Sequence, residues 1–147
     1  MSELSIKIIN TSANALPHYA TEGSSGMDIR AALDAELILQ PLERRLIPTG
    51  IYMEIPLGYE AQVRPRSGLA VNKGITCLNT PGTIDSDYRG EIKVLLVNLS
   101  AEAQVVAPSD RIAQIVFVKI EHARITLAEE LNHTERASGG FGHTGIK

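Results

Sequence analysis

Ile92-Lys93-Val94-Leu95-Leu96-Val97-Asn98-Leu99 decides the fold. The run is nearly continuous in apolar side chains and rich in β-branched ones, as expected of a strand buried on both faces. Ile115-Val116-Phe117-Val118-Lys119-Ile120 has the same character. Working outward, Ile51, Met53 and Ile55 alternate with Tyr52 and Glu54, a period of two that Ser5-Ile6-Lys7-Ile8 repeats near the start. Turn punctuation separates such runs at Gln40-Pro41, Ile47-Pro48-Thr49-Gly50, Ile55-Pro56-Leu57-Gly58, Thr80-Pro81-Gly82 and Ala107-Pro108-Ser109-Asp110. Many short strands with frequent Gly/Pro turns predict an all-β sandwich, jelly roll or barrel. Helical signal is confined to Ser67–Lys73, a short helix capped by Ser67 and ending at Gly74, and to one turn at Ala128-Glu129-Glu130-Leu131. Strands apolar on both sides suit a domain that buries a face against another subunit.

The chain has 147 residues, 44% of them hydrophobic and 21% charged, which suits one globular domain. There is no internal repeat. Composition shifts after about Asn132, dividing a folded domain, 1–132, from a tail, 133–147. The net charge of −3 argues against a partner among nucleic-acid polymers. A small anion needs only a local cluster of cations. The one cysteine, Cys77, cannot form an intramolecular disulfide, and its apolar run Gly74–Leu78 predicts a buried, inert thiol. Met1–Ser5 lacks the basic and apolar regions of a signal peptide, and no run is long enough to span a membrane, so the expected location is the cytoplasm.

Several short segments are more polar and Gly-rich than their surroundings. Ser24-Ser25-Gly26-Met27-Asp28-Ile29-Arg30 sets an acid between apolar residues; alone, Asp28 reads as a turn or cap residue as readily as a metal ligand. Arg64-Pro65-Arg66-Ser67-Gly68 offers a cation, a hydroxyl and free N–H groups at a helix start, which suits phosphate. A capped helix with a surface Arg is the plainer alternative. In Asn79–Gly90, Pro81-Gly82 predicts a hairpin, and Asn79 carries the donor and acceptor that match a pyrimidine edge. Asp85 and Asp87, two apart, face one side of a strand, either as a base with an electrostatic partner or as a solvated face. Asp110 and Arg111 predict a bracing salt bridge ahead of Gln114.

The tail holds Arg136-Ala137-Ser138-Gly139-Gly140-Phe141-Gly142-His143-Thr144-Gly145. Glycines carry no Cβ to bury and lose much entropy on ordering, so the tail is expected to be flexible alone. Arg136 can pair with phosphate, Phe141 can stack on a base, and His143 and Thr144 are donors. Two readings stand: a lid that orders over a nucleotide, or a disordered terminus.

Taken in this order, the segments resemble the homotrimeric dUTPases (deoxyuridine triphosphate nucleotidohydrolases). Pro65–Ala70, Ile84–Gly90 and Gly139–Gly142 carry the resemblance most specifically, and it spans Gly26 to Gly145. It implies a single-domain jelly-roll-like β-barrel with a mobile C-terminal arm, in a homotrimer whose sites draw on all three chains. The implied reaction is dUTP to dUMP and pyrophosphate, with water attacking the α-phosphorus. Asp85 is then the residue that deprotonates the water, and Asp28 holds Mg²⁺ through its water shell. Arg66, Ser67, Gly68 and Gln114 match phosphate-binding positions. Asn79, Gly82, Thr83, Ile84 and Lys93 match the uracil pocket, and Tyr88 packs under deoxyribose. From the arm, Phe141 stacks on uracil, Arg136 reaches the γ-phosphate, and Gly142, His143 and Thr144 complete the closure. The family usually has Gly at Ala137 and Ser at His143. Two rivals share the fold: a dCTP deaminase, for which Glu91 falls off the water position, and a non-catalytic nucleotide-sensing module, which retention of Asp28, Asp85 and Arg136 disfavours.

Overall fold

A computed structural model describes residues 3–146; Met1 and Ser2 of the amino end, and Lys147 of the tail, lie outside the described residues. The strands are β1 (Lys7–Asn10), β2 (Met27–Arg30), β3 (Leu37–Leu39), β4 (Arg44–Glu54), β5 (Tyr59–Arg64), β6 (Ile75–Cys77), β7 (Gly82–Ile84), β8 (Ile92–Asn98), β9 (Gln104–Val106) and β10 (Arg111–Lys119), with one helix, α1 (Ser67–Lys73). They form two four-stranded sheets, β1-β4-β8-β6 and β2-β10-β5-β7, and a two-stranded sheet, β3-β9. The two larger sheets enclose a single core. Ile47, Ile51, Ile92, Val94 and Leu96 enter it from one side, and Ile29, Ala61, Val63, Ala113 and Ile115 from the other. The all-β expectation holds, as an open jelly-roll sandwich rather than a closed barrel.

β8 alternates at first, with Ile92 and Val94 buried and Lys93 exposed; it is buried on both faces only from Leu96 to Asn98. There Asn98 ties the larger sheet to its small neighbour. Its Nδ2 donates to Leu39 O at 2.9 Å and Glu102 O at 2.8 Å, and its Oδ1 accepts from Ser100 N and Oγ.

Four local expectations change. Ile47-Pro48-Thr49-Gly50 is not a turn: β4 runs through it for 11 residues, and a register shift between Pro48 and Ile51 absorbs the missing proline N–H. Gly50 has φ +69, and a Cβ there would lie 2.8 Å from Ser12 N, so the bulge requires glycine. Pro81-Gly82 closes no hairpin, because β6 pairs with β8 and β7 with β5; the connection crosses between sheets. α1 spans the expected residues and stops at Gly74, φ +63, but its N-cap is Arg66 and no side chain caps it. Ala128–Leu131 forms no helix, since an isolated turn lacks the packing that would offset nucleation. The segment around it is exposed, with Ile125, Leu127 and Leu131 each about nine-tenths or more accessible.

Cys77 is buried as expected, and burial pushes its thiol up to about 11. Replacing Asn98 by Leu keeps the volume but strands two carbonyls and the Ser100 donors. Urea unfolding of Asn98→Leu should show a loss of roughly 3 kcal/mol, the scale for buried groups left unpaired.

Candidate active site

Ladder register gathers one set of candidates at the open end of the second sheet. Gln114 lies opposite Asp28 on β2 and opposite Arg64 on β5. Gln114 Nε2 donates to Pro65 O at 3.1 Å, and its Oε1 fills the space that a Cβ on Gly26 would take. Arg66 Nε stands 2.8 Å from Asp28 Oδ1, and Arg111 Nη1 stands 3.2 Å from Asp28 Oδ2. Arg66 Nη1 also donates to Arg111 O at 3.2 Å. The Asp110–Arg111 bridge is therefore not made. Asp110 Oδ2 accepts from Ala107 N at 2.9 Å and closes a turn, leaving Arg111 to Asp28. Ser67 is free of any capping bond, and a Cβ on Gly68 would meet nothing within 4 Å, so this backbone is open to approach.

A second set lines a cavity of about 400 Å³: Thr83, Ile84, Asp85, Tyr88 and Lys93, with Leu46 and Glu91. Asp85 lies just beyond β7 and its carbonyl accepts from Tyr88 N at 3.2 Å, so Asp85 and Asp87 sit in a turn and share no strand face. The hydroxyl of Tyr88 donates to Glu91 O at 2.9 Å, folding the ring over Gly90, where a Cβ would collide with it. Asn79 packs against Gly82; a Cβ there would lie 3.2 Å from Asn79 Nδ2. Glu91 accepts from Gly50 N at 2.9 Å, which commits its carboxylate to the β4 bulge.

The arm makes only local contacts. Arg136 Nε donates to Gly139 O at 2.8 Å, the His143 ring lies against Gly139, and Phe141 is fully exposed. Ala137 has φ +45 and Gly142 φ +82, so the position where the family usually has Gly takes a left-handed backbone here.

The two sets are held apart by β5. Ala61 pairs with Ile84, which puts Asp85 level with Glu60, six residues from Arg66. At roughly 3.3 Å per residue this is about 20 Å.

By fold the chain is a jelly-roll protein, with guanidinium groups at one sheet end and a carboxylate-lined cavity at the other. Comparison narrows this. Residues 12–145 match the dUTPase family. The deoxyuridine 5'-triphosphate nucleotidohydrolase of Fusobacterium nucleatum subsp. nucleatum is 56% identical, with 99% of each chain covered. That of Cytophaga hutchinsonii is 58% identical over 96% of this chain and 92% of its own. A dUTPase of Staphylococcus bacteriophage 80alpha, solved with dUpNHpp, has the same fold, with TM-score 0.83 and 24% identity over 97% of this chain and 99% of its own. A mutant dUTPase from phage phi11 of S. aureus, described for its coordination of a structural Mg(II) ion, aligns at TM-score 0.75 and 23% identity over 86% and 97%. The chain belongs to the dUTPase family.

The residue that sequence reasoning undervalued is Arg111, assigned to Asp110 because the two are adjacent. Gly90→Ala should leave the fold intact and drive the Tyr88 ring out of the cavity, read in the crystal structure of the variant as a changed Tyr88 side-chain position.

Proposed function

We propose that the protein hydrolyses dUTP to dUMP and pyrophosphate, lowering dUTP so that uracil stays out of DNA and supplying dUMP for thymidylate synthesis. The observation that carries this is Asp85 in one cavity with Thr83, Ile84, Tyr88 and Lys93, in a chain of the dUTPase family. Asp85 orients a water and takes its proton as the oxygen attacks the α-phosphorus; the bond to the bridging oxygen breaks and pyrophosphate leaves. Arg66, Ser67, Gly68 and Gln114 hold the triphosphate in line. Backbone around Gly82, Thr83 and Ile84, with Asn79 and Lys93, pairs with uracil; cytosine reverses the donor and acceptor pattern and would leave groups unpaired. Tyr88 packs against deoxyribose, where a 2′-hydroxyl has no room.

Asp28 suits a hydrated divalent cation. It is a single carboxylate, and no cluster of three or more His, Cys, Asp or Glu with metal-binding geometry occurs among the described residues. Mg²⁺ keeps most of its waters and takes its other ligands from phosphate, so one outer-shell acid fits. When bound, the ion neutralises triphosphate charge. Asp28 would then orient its waters, exchanging the Arg66 contact for them.

The site is shared in a homotrimer. The backbone separation along β5, about 20 Å from the level of Asp85 to Arg66, supports this, because it sets the two groups far apart within one chain. The accessible Ile125, Leu127 and Leu131 support it too, since among the described residues nothing covers this apolar segment. The arm, 133–147, closes over a neighbouring chain's site, bringing Phe141 to uracil, Arg136 to the γ-phosphate, and Gly142, His143 and Thr144 around them. The division into a folded unit, 1–132, and this arm is part of the same reading. A cytoplasmic setting fits the free thiol of Cys77, and no helix among the described residues is long and apolar enough to cross a membrane. A deaminase would be expected to place a catalytic Glu in the cavity, and the Glu there, Glu91, accepts from Gly50 N.

Pyrophosphate release from each deoxynucleoside triphosphate with Mg²⁺ should be confined to dUTP; equal release from dCTP or dTTP would overturn the assignment. Asp85→Asn should retain nucleotide binding while kcat falls by roughly 10²–10⁴, because a carboxamide cannot accept the proton. Mixed with a protein lacking Arg136–Lys147, Asp85→Asn should recover part of the lost activity, since some sites of the mixed trimer combine an intact Asp85 with an intact arm. Sedimentation of either variant should still give a trimer, and full activity in a verified monomer would remove the shared site.

A further inference from the structure

β10 carries a bulge whose consequence is chemical. Gln114 faces Asp28, and in a regular strand Arg111, three residues away, would point to the opposite face. That face is the core, where Ala113 and Ile115 are buried. The ladder instead pairs Arg111 with Arg30 and Ala113 with Ile29, so one extra residue lies between them. The extra residue turns Ile112 inward, where it is 1% exposed, and turns Arg111 outward beside Asp28. Bulges next to active sites re-aim side chains in this way.

Arg111 then holds two groups at once. Its guanidinium grips Asp28 Oδ2 at 3.2 Å, and its carbonyl accepts from Arg66 Nη1 at 3.2 Å. Asp28 Oδ1 is left to Arg66 Nε at 2.8 Å. The neighbouring cation Arg30 is turned away, donating to Ser109 O at 2.9 Å. The Arg66 guanidinium cannot serve phosphate fully while it is bound to Asp28. Without a second cation on the carboxylate, Arg66 would be its sole neutralising partner and would be held more firmly.

We propose that Arg111 is a positioning residue for the hydrolytic reaction: it holds the Asp28 carboxylate so that Arg66 can leave it for the substrate's phosphate. This rests on the dUTPase reading above. Arg111 acts through Asp28 and need not touch the nucleotide. Its side chain is about half exposed, so replacing it leaves the core intact.

The test is a double-mutant cycle on the whole protein, reading the Kd of the cleavage-resistant analogue dUpNHpp by titration calorimetry, in Mg²⁺ and again in EDTA. Arg111→Gln should weaken binding by about tenfold, the scale of one charge-assisted hydrogen bond. In the Asp28→Asn background the same change should cost less than about twofold, in both buffers, because the coupling lies in the protein's own ion pairs. Arg111→Lys, which keeps a cationic donor, should restore binding to within about threefold of the parent. In steady state, Arg111→Gln should raise KM with kcat within about threefold. Equal losses in both backgrounds, or no loss in Arg111→Gln, would overturn the inference while leaving the dUTPase reading intact. A parent protein that neither binds dUpNHpp nor hydrolyses dUTP would overturn both.

Discussion

Strand β5 sets the terms for everything else in this molecule. It is laddered on both sides, to β10 and to β7, so its residues cannot slide or bend independently. Extended backbone has a nearly fixed rise, so the distance between its two ends is a count of residues rather than a matter of flexibility. The Arg66 cluster hangs from one end and the Asp85 cavity is pinned near the other. Neither set can approach the other without breaking the sheet. Under the proposed function both sets serve one phosphorus, and a site shared between chains is the arrangement that brings them together. On that reading, assembly follows from strand geometry and is not an addition to a finished site.

The seams of the sandwich explain how both ends stay rigid. Glu91 sits at one seam, accepting from Gly50 N in the β4 bulge while its own carbonyl receives the Tyr88 hydroxyl. The buried Thr49 hydroxyl donates to Ile92 O beside it. A bulge that leaves backbone donors unpaired would be costly in a core. Here the side chain that satisfies the bulge also lines the Asp85 cavity, so packing and site geometry share one residue. Asn98 plays the equivalent part at the far end of β8, where no charge is involved and every polar atom finds a partner.

What was legible in the sequence follows from how local each signal is. The end of α1 was readable to the residue, because Gly74 stops a helix through its own backbone preference, while its cap was misplaced from Arg66 to Ser67. The Ile92–Leu99 and Ile115–Ile120 runs were readable as strands from their side-chain types, though burial on both faces holds only in part. Pro48-Thr49-Gly50 and Pro81-Gly82 misled because proline and glycine report a local break in pairing and not its cause. A bulge inside one strand and a crossing between sheets carry the same letters as a turn. Most of the candidate site was nameable residue by residue, through motifs. The partnership of Asp28 with Arg111 was not, because it depends on a strand register shifted by one residue, and that shift appears only when β2 and β10 are laid side by side.

The arm is the part of the chain least committed to its own conformation. Arg136 and Gly139 share one side-chain hydrogen bond, and exposed bonds of this kind are worth about 1 kcal/mol. Ala137 and Phe141, at φ +45 and +50, hold left-handed backbone that L residues adopt at a cost of roughly 1–2 kcal/mol each. The local turn is therefore weakly held, and a phosphate that recruits Arg136 displaces little. The opposing term is entropy: Gly139, Gly140 and Gly142 must be fixed when the arm closes. Under the proposed function, closure depends on what the ligand supplies at both ends, a base for Phe141 and a terminal phosphate for Arg136. A nucleotide lacking either offers only part of that free energy. Under the proposed function the arm's weak intrinsic structure makes closure a second check on the substrate, applied after the cavity around Asp85 has read the base.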